Sequence, residues 1–356
     1  MLIKIYDAQT LNAVAMCSKV ISMQWERNFY SIGKFEFECS GSDESVEYLK
    51  VGNFITFDDK TGIILYRHAE NNTITVKGYD LKYFCRSRII IPPFVYKDNP
   101  QPIDGYERQK GNAETVIKYY ADRQMITTED ANRKIPHLVC AADSQNGERI
   151  AWQAKFTHLD DELEKICKYA KMGYDITFDA DNKQFVFDIC IGTDRTASQS
   201  ENAPVIFCNE YRNISQIEYT EDWLTAKNLA YVGGNGEEED QFIFSEPSED
   251  YENDFMRIES YTGVSSDDVS EIEDGGAAYL EENKKSETVS GTANSKYKYK
   301  IDWNLGDYVT AKMKAFGSTI SVDEQIIGVN EAYERDSVTI TPVFSKDNIL
   351  KKILKG

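Results

Sequence analysis

The sequence predicts an α+β protein that is mainly β, built from two similar antiparallel β-barrel domains with α+β and acidic insertions. Two observations lead to this fold class. A late stretch of the chain, Trp303 to Phe344, repeats the plan of an earlier stretch, Leu49 to Tyr79. The 22 Tyr and 17 Phe residues supply the aromatic content that is typical of sheets.

Each copy of the repeat begins with a glycine and a polar residue, a pair suited to the positive φ of a tight turn. Gly52-Asn53-Phe54 corresponds in this way to Gly306-Asp307-Tyr308, and a β-branched and aromatic strand follows in both. The next strand is reached twelve residues after Gly52 at Ile64, and twenty-one residues after Gly306 at Ile327. Any β-rich protein offers turn-and-strand coincidences, so the repeat alone leaves a chance match open.

The chain has 356 residues, which is longer than a usual single core and indicates two or three domains. Its formal charge of -20 is concentrated in one segment. Between Gly236 and Glu282 there are seventeen acidic residues against one base, Arg257, which leaves 43 acids against 39 bases elsewhere. The body is nearly neutral and has no cluster of Lys and Arg, which argues against specific nucleic-acid binding.

Seven cysteines are spread along the chain without any C-x-x-C motif. We interpret them as buried free thiols of a protein made in a reducing cytosol, with disulfides or metal binding as the alternative. The N-terminal MLIKIYDAQTL is interrupted by Asp7 and predicts a strand instead of a signal peptide. No apolar run approaches the length that spans a membrane, so membrane insertion is not expected.

Residues 1–100 are expected to form the first β-barrel domain. In Lys34–Cys39 the apolar residues alternate with glutamates, the period of a half-buried strand. Pro92-Pro93 ends the strand-rich region.

Residues 101–200 are expected to form a peripheral α+β domain. Asn112 is placed to cap a helix over Ala113–Gln124. A second helix is predicted from Thr157, with an apolar stripe of period 3.6 and with Gly173 as its stop. A β-hairpin follows, with its turn at Asp179–Lys183.

The rest of the chain is divided into a second β-barrel domain (201–235 plus 296–345), an acidic insertion (236–295) and a basic amphipathic tail (346–356). The insertion contains aromatic residues to bury, which predicts an ordered segment with a short helix, Asp267–Lys284, interrupted by Gly275-Gly276. Four apolar residues share one side of the tail: Ile349, Leu350, Ile353 and Leu354. The tail is either a frayed surface helix or a docking peptide for a partner.

No pattern for chemistry emerges. The three histidines lack zinc-site spacing, and the chain has no nucleophile elbow, no P-loop and no dinucleotide-binding glycine motif. Adjacent carboxylates such as Asp58-Asp59 would point apart on a strand, which argues against a glycosidase pair. The acidic segment lacks the spacing of a calcium loop. We therefore expect no catalytic residues, no cofactor and no metal site.

Several motifs together resemble the phage tail proteins that form the baseplate hub. They are Trp25 with Gly33-x-Phe35-x-Phe37, Val76-x-Gly78-Tyr79-Asp80-Leu81, Arg86 to Pro92, the Leu159 to Gly173 helix with the hairpin ending Gly192-x-Asp194-Arg195, Asn228-x-x-Tyr231-Val232-x-Gly234, and Asp302 to Asp307. The family is related to the N-terminal hub part of tail-associated lysins and to hubs of contractile tails and R-type bacteriocins. The resemblance spans almost the whole chain.

The resemblance implies a homotrimeric ring in the virion, at the tail baseplate or tip, with two tube-like barrels per subunit. The expected partners are a tail tube or distal tail protein above, and a tip, spike, fibre or tape-measure protein below. Two similar barrels in each of three chains would adapt a sixfold tube to a threefold tip. The printed chain ends at Gly356, where many relatives continue into a peptidase, lysin or fibre-binding domain, so no enzyme activity is expected.

Two alternatives stay open, a tail-associated lysin or endopeptidase remnant and a receptor-binding adhesin of the tail tip. The interface candidates are the two repeat turns and the apolar side of the tail. They are Gly52, Asn53, Phe54, Gly306, Asp307, Tyr308, Ile349, Leu350, Ile353 and Leu354.

Overall fold

The computed structural model of the chain describes residues 1–95, 99–102, 105–236, 241–248, 251, 255–293, 297–334 and 337–344. The strands are β1 (Ile3–Tyr6), β2 (Ala13–Cys17), β3 (Val20–Asn28), β4 (Lys34–Ser40), β5 (Phe54–Phe57), β6 (Lys60–Glu70), β7 (Thr73–Asp80), β8 (Phe94–Val95), β9 (Asn99–Pro102), β10 (Glu107–Asn112), β11 (Leu138–Cys140), β12 (Arg149–Ala154), β13 (Gly173–Asp179), β14 (Gln184–Cys190), β15 (Asp194–Arg195), β16 (Ile206–Cys208), β17 (Ile214–Asp222), β18 (Leu229–Gly233), β19 (Ile243–Pro247), β20 (Glu259–Gly263), β21 (Ser286–Ala293), β22 (Tyr308–Ala315), β23 (Ser318–Gln325), β24 (Gly328–Glu334) and β25 (Ser337–Val343). The helices are α1 (Tyr83–Arg86), α2 (Ala113–Met125), α3 (Leu159–Ala170) and α4 (Val269–Asn283), with short 3-10 helices at Glu44–Tyr48 and Ala131–Arg133.

The largest sheet has nine strands in the order β2-β1-β5-β6-β7-β4-β3-β24-β25. Every neighbouring pair in it is antiparallel. Seven of its strands come from the first eighty residues, and the hairpin β24–β25 near the end of the chain joins them through β3. Both ends of the chain therefore share one continuous sheet.

The mainly β, α+β class is confirmed, but the two barrels are not. Within the described residues β2 and β25 each have a single hydrogen-bonded neighbour, so the nine-stranded sheet stays open. The predicted second barrel is divided instead. Its hairpin β24–β25 pairs with β3, while β15, β16 and β23 pair with β22 and β17 pairs with β21 in two smaller sheets. Because β24 pairs with β3 on one side and with β25 on the other, it has no edge left for closing a second barrel.

One hydrophobic core lies on the inner face of the large sheet. The predicted alternation in β4 is confirmed, because Phe35, Phe37 and Cys39 are buried and the glutamates between them are half-buried. The core consists of Ile3, Ile5, Cys17, Met23, Trp25, Phe35, Phe37, Cys39, Leu49, Ile55, Phe57, Ile64 and Val76. Complete burial of each large apolar side chain stabilises the fold by about 1.5–3 kcal/mol.

The first repeat turn is built around a glycine with positive φ. Gly52 has a φ of 95°, and its amide donates to the carbonyl of Ile64 at 2.8 Å. The amide of Ile64 in turn donates to the carbonyl of Asn53 at 2.9 Å. This pair of hydrogen bonds holds the start of β5 against the middle of β6.

The second repeat turn has the same backbone arrangement. Gly306 also has a φ of 95°, its amide donates to the carbonyl of Ile326 at 2.8 Å, and Ile326 donates to the carbonyl of Asp307 at 2.9 Å. The residue equivalent to Ile64 is therefore Ile326, one position before the predicted Ile327. The two halves of the chain contain the same turn in spite of their different surroundings.

The helical region packs on the large sheet and shares a hydrophobic core with it. Its core cluster combines α2 and α3 residues such as Val116 and Leu163 with Tyr6, Phe54 and Phe84 from the first eighty-six residues. Both predicted helices and the hairpin β13–β14 are present. Helix α3 ends at Ala170 and is followed by the cap residue Lys171 in the left-handed conformation, with a φ of 54°, so Gly173 is not the stop.

The described part of the acidic segment forms strands and a helix. Strands β19, β18 and β20 form a sheet, and α4 packs on it through a small core of Ala230, Val232, Ile272 and Leu280. The predicted helix is present but runs through Gly275-Gly276 without interruption. A Cβ on Gly276 would lie 2.6 Å from Cγ2 of Val232, so this glycine permits close contact between helix and sheet.

Candidate assembly sites

The six predicted interface residues of the repeat turns lie mostly inside the molecule. Asn53, Phe54, Gly306 and Asp307 are buried, and Gly52 and Tyr308 are half-buried. The other four candidates, Ile349, Leu350, Ile353 and Leu354, lie outside the described residues. An interface role for these ten residues stays a prediction.

The polar residue after each glycine has an internal partner. Oδ1 of Asn53 accepts a hydrogen bond from the amide of Ala8 at 3.1 Å. Oδ1 of Asp307 accepts from the amide of Thr193 at 2.9 Å, and its Oδ2 accepts from Nε of Arg195 at 2.8 Å. In both copies this side chain ties the turn to the segment beside it.

A buried ion pair joins the two halves of the chain, and no sequence pattern marked it. Nζ of Lys60 donates to Oε2 of Glu331 at 2.6 Å, and each side chain is 2% exposed. Nζ also donates to the hydroxyl of Tyr333 at 2.9 Å. Lys60 belongs to β6, while Glu331 and Tyr333 belong to β24, so charges from distant parts of the chain meet inside the large sheet.

A second charged junction connects three parts of the molecule around a cavity of 390 Å³. Nη1 of Arg27 in β3 lies 3.0 Å from Oδ2 of Asp59, and its Nη2 lies 4.0 Å from Oδ2 of Asp175 in β13. Lys300, before β22, also binds Asp59. The junction therefore links the large sheet to the α+β region and to the second half of the chain.

Asp80 lies in the wall of the same cavity. Burial, helped by the carboxylate of Asp175 and opposed by the Lys82 ammonium, raises the pKa of Asp80 to about 7. The Lys82 ammonium donates to the carbonyl oxygen of Asn28 at 2.6 Å and lies over the ring of Tyr174. These groups are occupied in holding the backbone, which indicates a structural role.

Helix α4 uses its acids to bind the α+β region. Its N-cap Asp268 lies 2.5 Å from Nζ of Lys110, and the buried Glu271 binds Arg108. Oδ2 of Asp274 accepts from the backbone amide of Ala151 at 2.6 Å. Residues three apart share one helix face, so these acids contact the α+β region together.

Replacing Asp274 with alanine is expected to lower the free energy of unfolding by about 1–3 kcal/mol, because the amide of Ala151 would lose its acceptor. Urea denaturation measures the loss, and limited proteolysis should show faster cleavage around α4. The control is Glu273→Ala on the exposed side of the same helix, which should change stability by less than about 0.5 kcal/mol. Equal losses in the two variants would contradict the contact.

The outer strand β2 of the large sheet is the exposed feature most suited to assembly. It reads Ala13-Val14-Ala15-Met16-Cys17, with neither charge nor proline. Val14 is 37% exposed and Met16 is 51% exposed. Edge strands of monomeric proteins are normally protected by charges, prolines or covering segments, because open backbone groups pair with other chains. This uncharged composition is visible in the sequence and is a signal of an unprotected edge strand.

The described residues contain no cluster of His, Cys, Asp and Glu that could hold a metal ion. Within the same part of the chain, no helix combines the length and apolar character needed to span a membrane. Five of the seven cysteines are buried, and Cys140 and Cys190 are half-buried. The features that stand out are joints between parts of the chain and an open sheet edge.

The model of the Siphovirus ReqiPepy6 Gp37-like protein family matches residues 2–345. The fold is similar to that of prophage tail protein gp18 from Listeria monocytogenes EGD-e, with a TM-score of 0.59 and 14% identity over 100% of this chain and 99% of that one. A tail protein of prophage MuSo2 from Shewanella oneidensis gives 0.54 and 13%, over 96% and 98% of the two chains. A tail protein from Neisseria meningitidis MC58 gives 0.53 and 13%, over 97% of each. No curated protein matches the chain.

Proposed function

The chain belongs to the Siphovirus ReqiPepy6 Gp37-like protein family and is a structural protein related to phage tails and baseplates, and from this premise we propose that it forms the hub of the tail baseplate or tip. Three copies make a ring that connects the sixfold tail tube to a threefold tip and leaves a central passage. The ring works by shape alone and catalyses no reaction.

The observation that carries this proposal is the repeated turn. Gly52 and Gly306 have the same φ and the same two backbone hydrogen bonds. A tube ring presents six like edges, whereas three subunits meet it only if each offers two like elements. The whole-length likeness in fold to three phage tail proteins supports placing this chain in such a ring.

The ring contacts are proposed at the open edges of the large sheet. In a cyclic trimer each contact joins two different surfaces, one from each neighbour. Strand β2 and strand β25 are two such surfaces on opposite edges of one sheet. The exposed Val14 and Met16 on β2 and Val338 on β25 supply apolar area there.

The acidic segment 236–282 is proposed to lie outside the passage, where it contacts a partner or keeps free subunits apart. Like charges repel over a Debye length of about 10 Å at 0.1 M salt. Two acids of this segment, Asp268 and Glu271, bind Lys110 and Arg108, which supports a position on the side of the subunit. The tube-side protein and the tip protein then meet the ring at its two faces. Deletion of this segment should leave ring assembly intact, and abolished assembly would contradict its outer placement.

The trimer is tested by light scattering on the protein with its tube-side neighbour, where the hub should contribute three times the 40.7 kDa of one chain. The double variant Val14→Lys, Met16→Lys should prevent assembly, because it places charges on the β2 edge. Leu224→Lys is the control, since Leu224 is 74% exposed and belongs to neither β2 nor β25. A subunit that remains monomeric inside the intact particle would overturn the ring.

A further inference from the structure

Two buried thiols lie side by side in the core of the large sheet. Cys17 is the last residue of the edge strand β2, and Cys39 lies in β4. Both side chains are fully buried, and the two thiols are hydrogen-bonded to each other. Among the described strands β2 pairs with β1 alone, so this contact reaches a strand with which β2 shares no backbone hydrogen bond.

A buried carboxylate holds together the chain segments that follow the two cysteines. Oδ2 of Asp43 accepts hydrogen bonds from the amides of Ser18 at 3.0 Å and Lys19 at 2.8 Å. Asp43 lies four residues after Cys39. The amide of Ser40 also donates to the carbonyl oxygen of Lys19 at 3.0 Å. The backbone next to both cysteines therefore fixes the approach of the two thiols.

The two thiols differ in acidity. The hydrogen bond that Cys39 donates stabilises the thiolate of Cys17 and lowers the pKa of Cys17. The same hydrogen bond, together with burial, raises the pKa of Cys39. Burial also raises the pKa of Cys85, Cys140, Cys167 and Cys190. Because a thiolate is the form that attacks a disulfide, Cys17 is the nucleophile of the pair.

We propose that Cys17 and Cys39 form a reversible disulfide when the protein passes from a reducing to an oxidising medium. Disulfides persist in oxidising surroundings and are rare in a reducing cytosol. The bond would close a loop of the twenty-one residues between the cysteines and tie the end of β2 to β4. Such a cross-link restricts the unfolded chain and thereby stabilises the fold. This site is independent of the proposed ring.

The oxidant is a small-molecule disulfide such as oxidised glutathione. The thiolate of Cys17 attacks one of its sulfur atoms and expels one glutathione thiolate, which leaves a mixed disulfide on Cys17. Cys39 then loses its proton and attacks the sulfur of Cys17, which expels the second glutathione thiolate. The two expelled thiolates take up the two protons that the cysteines release. Two protein thiols are oxidised, and one oxidised glutathione is reduced to two thiols.

Incubation of the full-length protein with reduced and oxidised glutathione, in an oxygen-free buffer, tests the site. Urea below the unfolding midpoint is included, because local opening gives the oxidant access to buried thiols. Alkylation of the remaining thiols, digestion and mass spectrometry then identify the linked peptides. We expect one disulfide, between Cys17 and Cys39, and five alkylated cysteines out of seven. The linked protein should melt several degrees above the reduced protein, and dithiothreitol should reverse the shift.

Cys39→Ser should abolish both the linked peptide and the rise in melting temperature. Cys140→Ser is the control, because this half-buried cysteine lies in β11 and its loss should leave both results unchanged. If Cys39→Ser fails to fold, the peptide map of the wild-type protein still decides the pairing. Complete alkylation of Cys17 and Cys39 in the oxidising buffer would overturn the proposal. So would a disulfide from either residue to another cysteine, or a glutathione adduct on Cys17 that Cys39 does not displace.

Discussion

Replacing Lys60 with methionine is expected to lower the free energy of unfolding by about 3–5 kcal/mol, because it leaves the Glu331 carboxylate buried without its cation. The two side chains are each 2% exposed, and Nζ lies 2.6 Å from Oε2. The other carboxylate oxygen, Oε1, has no hydrogen-bond partner among the described residues. Urea denaturation monitored by tryptophan fluorescence measures the change, since Trp25 is opposite Glu331 in the sheet.

The control for this variant is an exposed lysine–glutamate pair in the same sheet. Lys77 Nζ lies 2.9 Å from Glu36 Oε2, with side chains 48% and 44% exposed. Lys77→Met should therefore lower the free energy of unfolding much less than Lys60→Met does, because an exposed ion pair contributes little. The double variant Lys60→Met, Glu331→Leu should recover most of the loss, since apolar residues often replace a buried pair without penalty. Similar losses of unfolding free energy for Lys60→Met and Lys77→Met would show that the buried pair does not stabilise the contact between β6 and β24.

The second large effect is expected at the repeated turns, where Gly52→Ala is the control for Gly306→Ala. Gly52 and Gly306 share a φ of 95°, which alanine adopts at an energetic cost of about 1–2 kcal/mol. Nothing lies within 4 Å of a Cβ added to Gly52, but a Cβ on Gly306 would lie 2.3 Å from the ring of Phe29. Gly306→Ala should therefore destabilise the protein by about 1–3 kcal/mol more than Gly52→Ala, because it adds overpacking to the same backbone strain.

Parallel urea titrations of the two alanine variants measure this difference. The difference measures a tertiary contact, because Phe29 is buried in the core shared with the α+β region. The extra loss in Gly306→Ala reports the packing of the second turn against the first half of the chain. Equal losses would mean that the second turn moves away from Phe29 at little cost.

Local patterns in the sequence were sufficient to predict secondary-structure elements and the repeated turn. Alternation identified β4, the 3.6-residue period identified α3, and a glycine with its polar neighbour identified both turns. Each of these signals depends on dihedral preference or on burial along one segment, which neighbouring residues in the chain determine. The uncharged composition of β2 is a local signal of the same kind. Only the strand order shows that β2 lies at the edge of the sheet.

Pairing between distant segments was decided only by the tertiary structure. The hairpin β24–β25 joins β3 through backbone groups that every residue carries, so its side chains do not specify the partner, and two separate barrels were predicted in place of one sheet. The same limit applies to Lys60 with Glu331. Each of these two residues is unremarkable in its own segment and gains its role from the side chain that folding brings next to it.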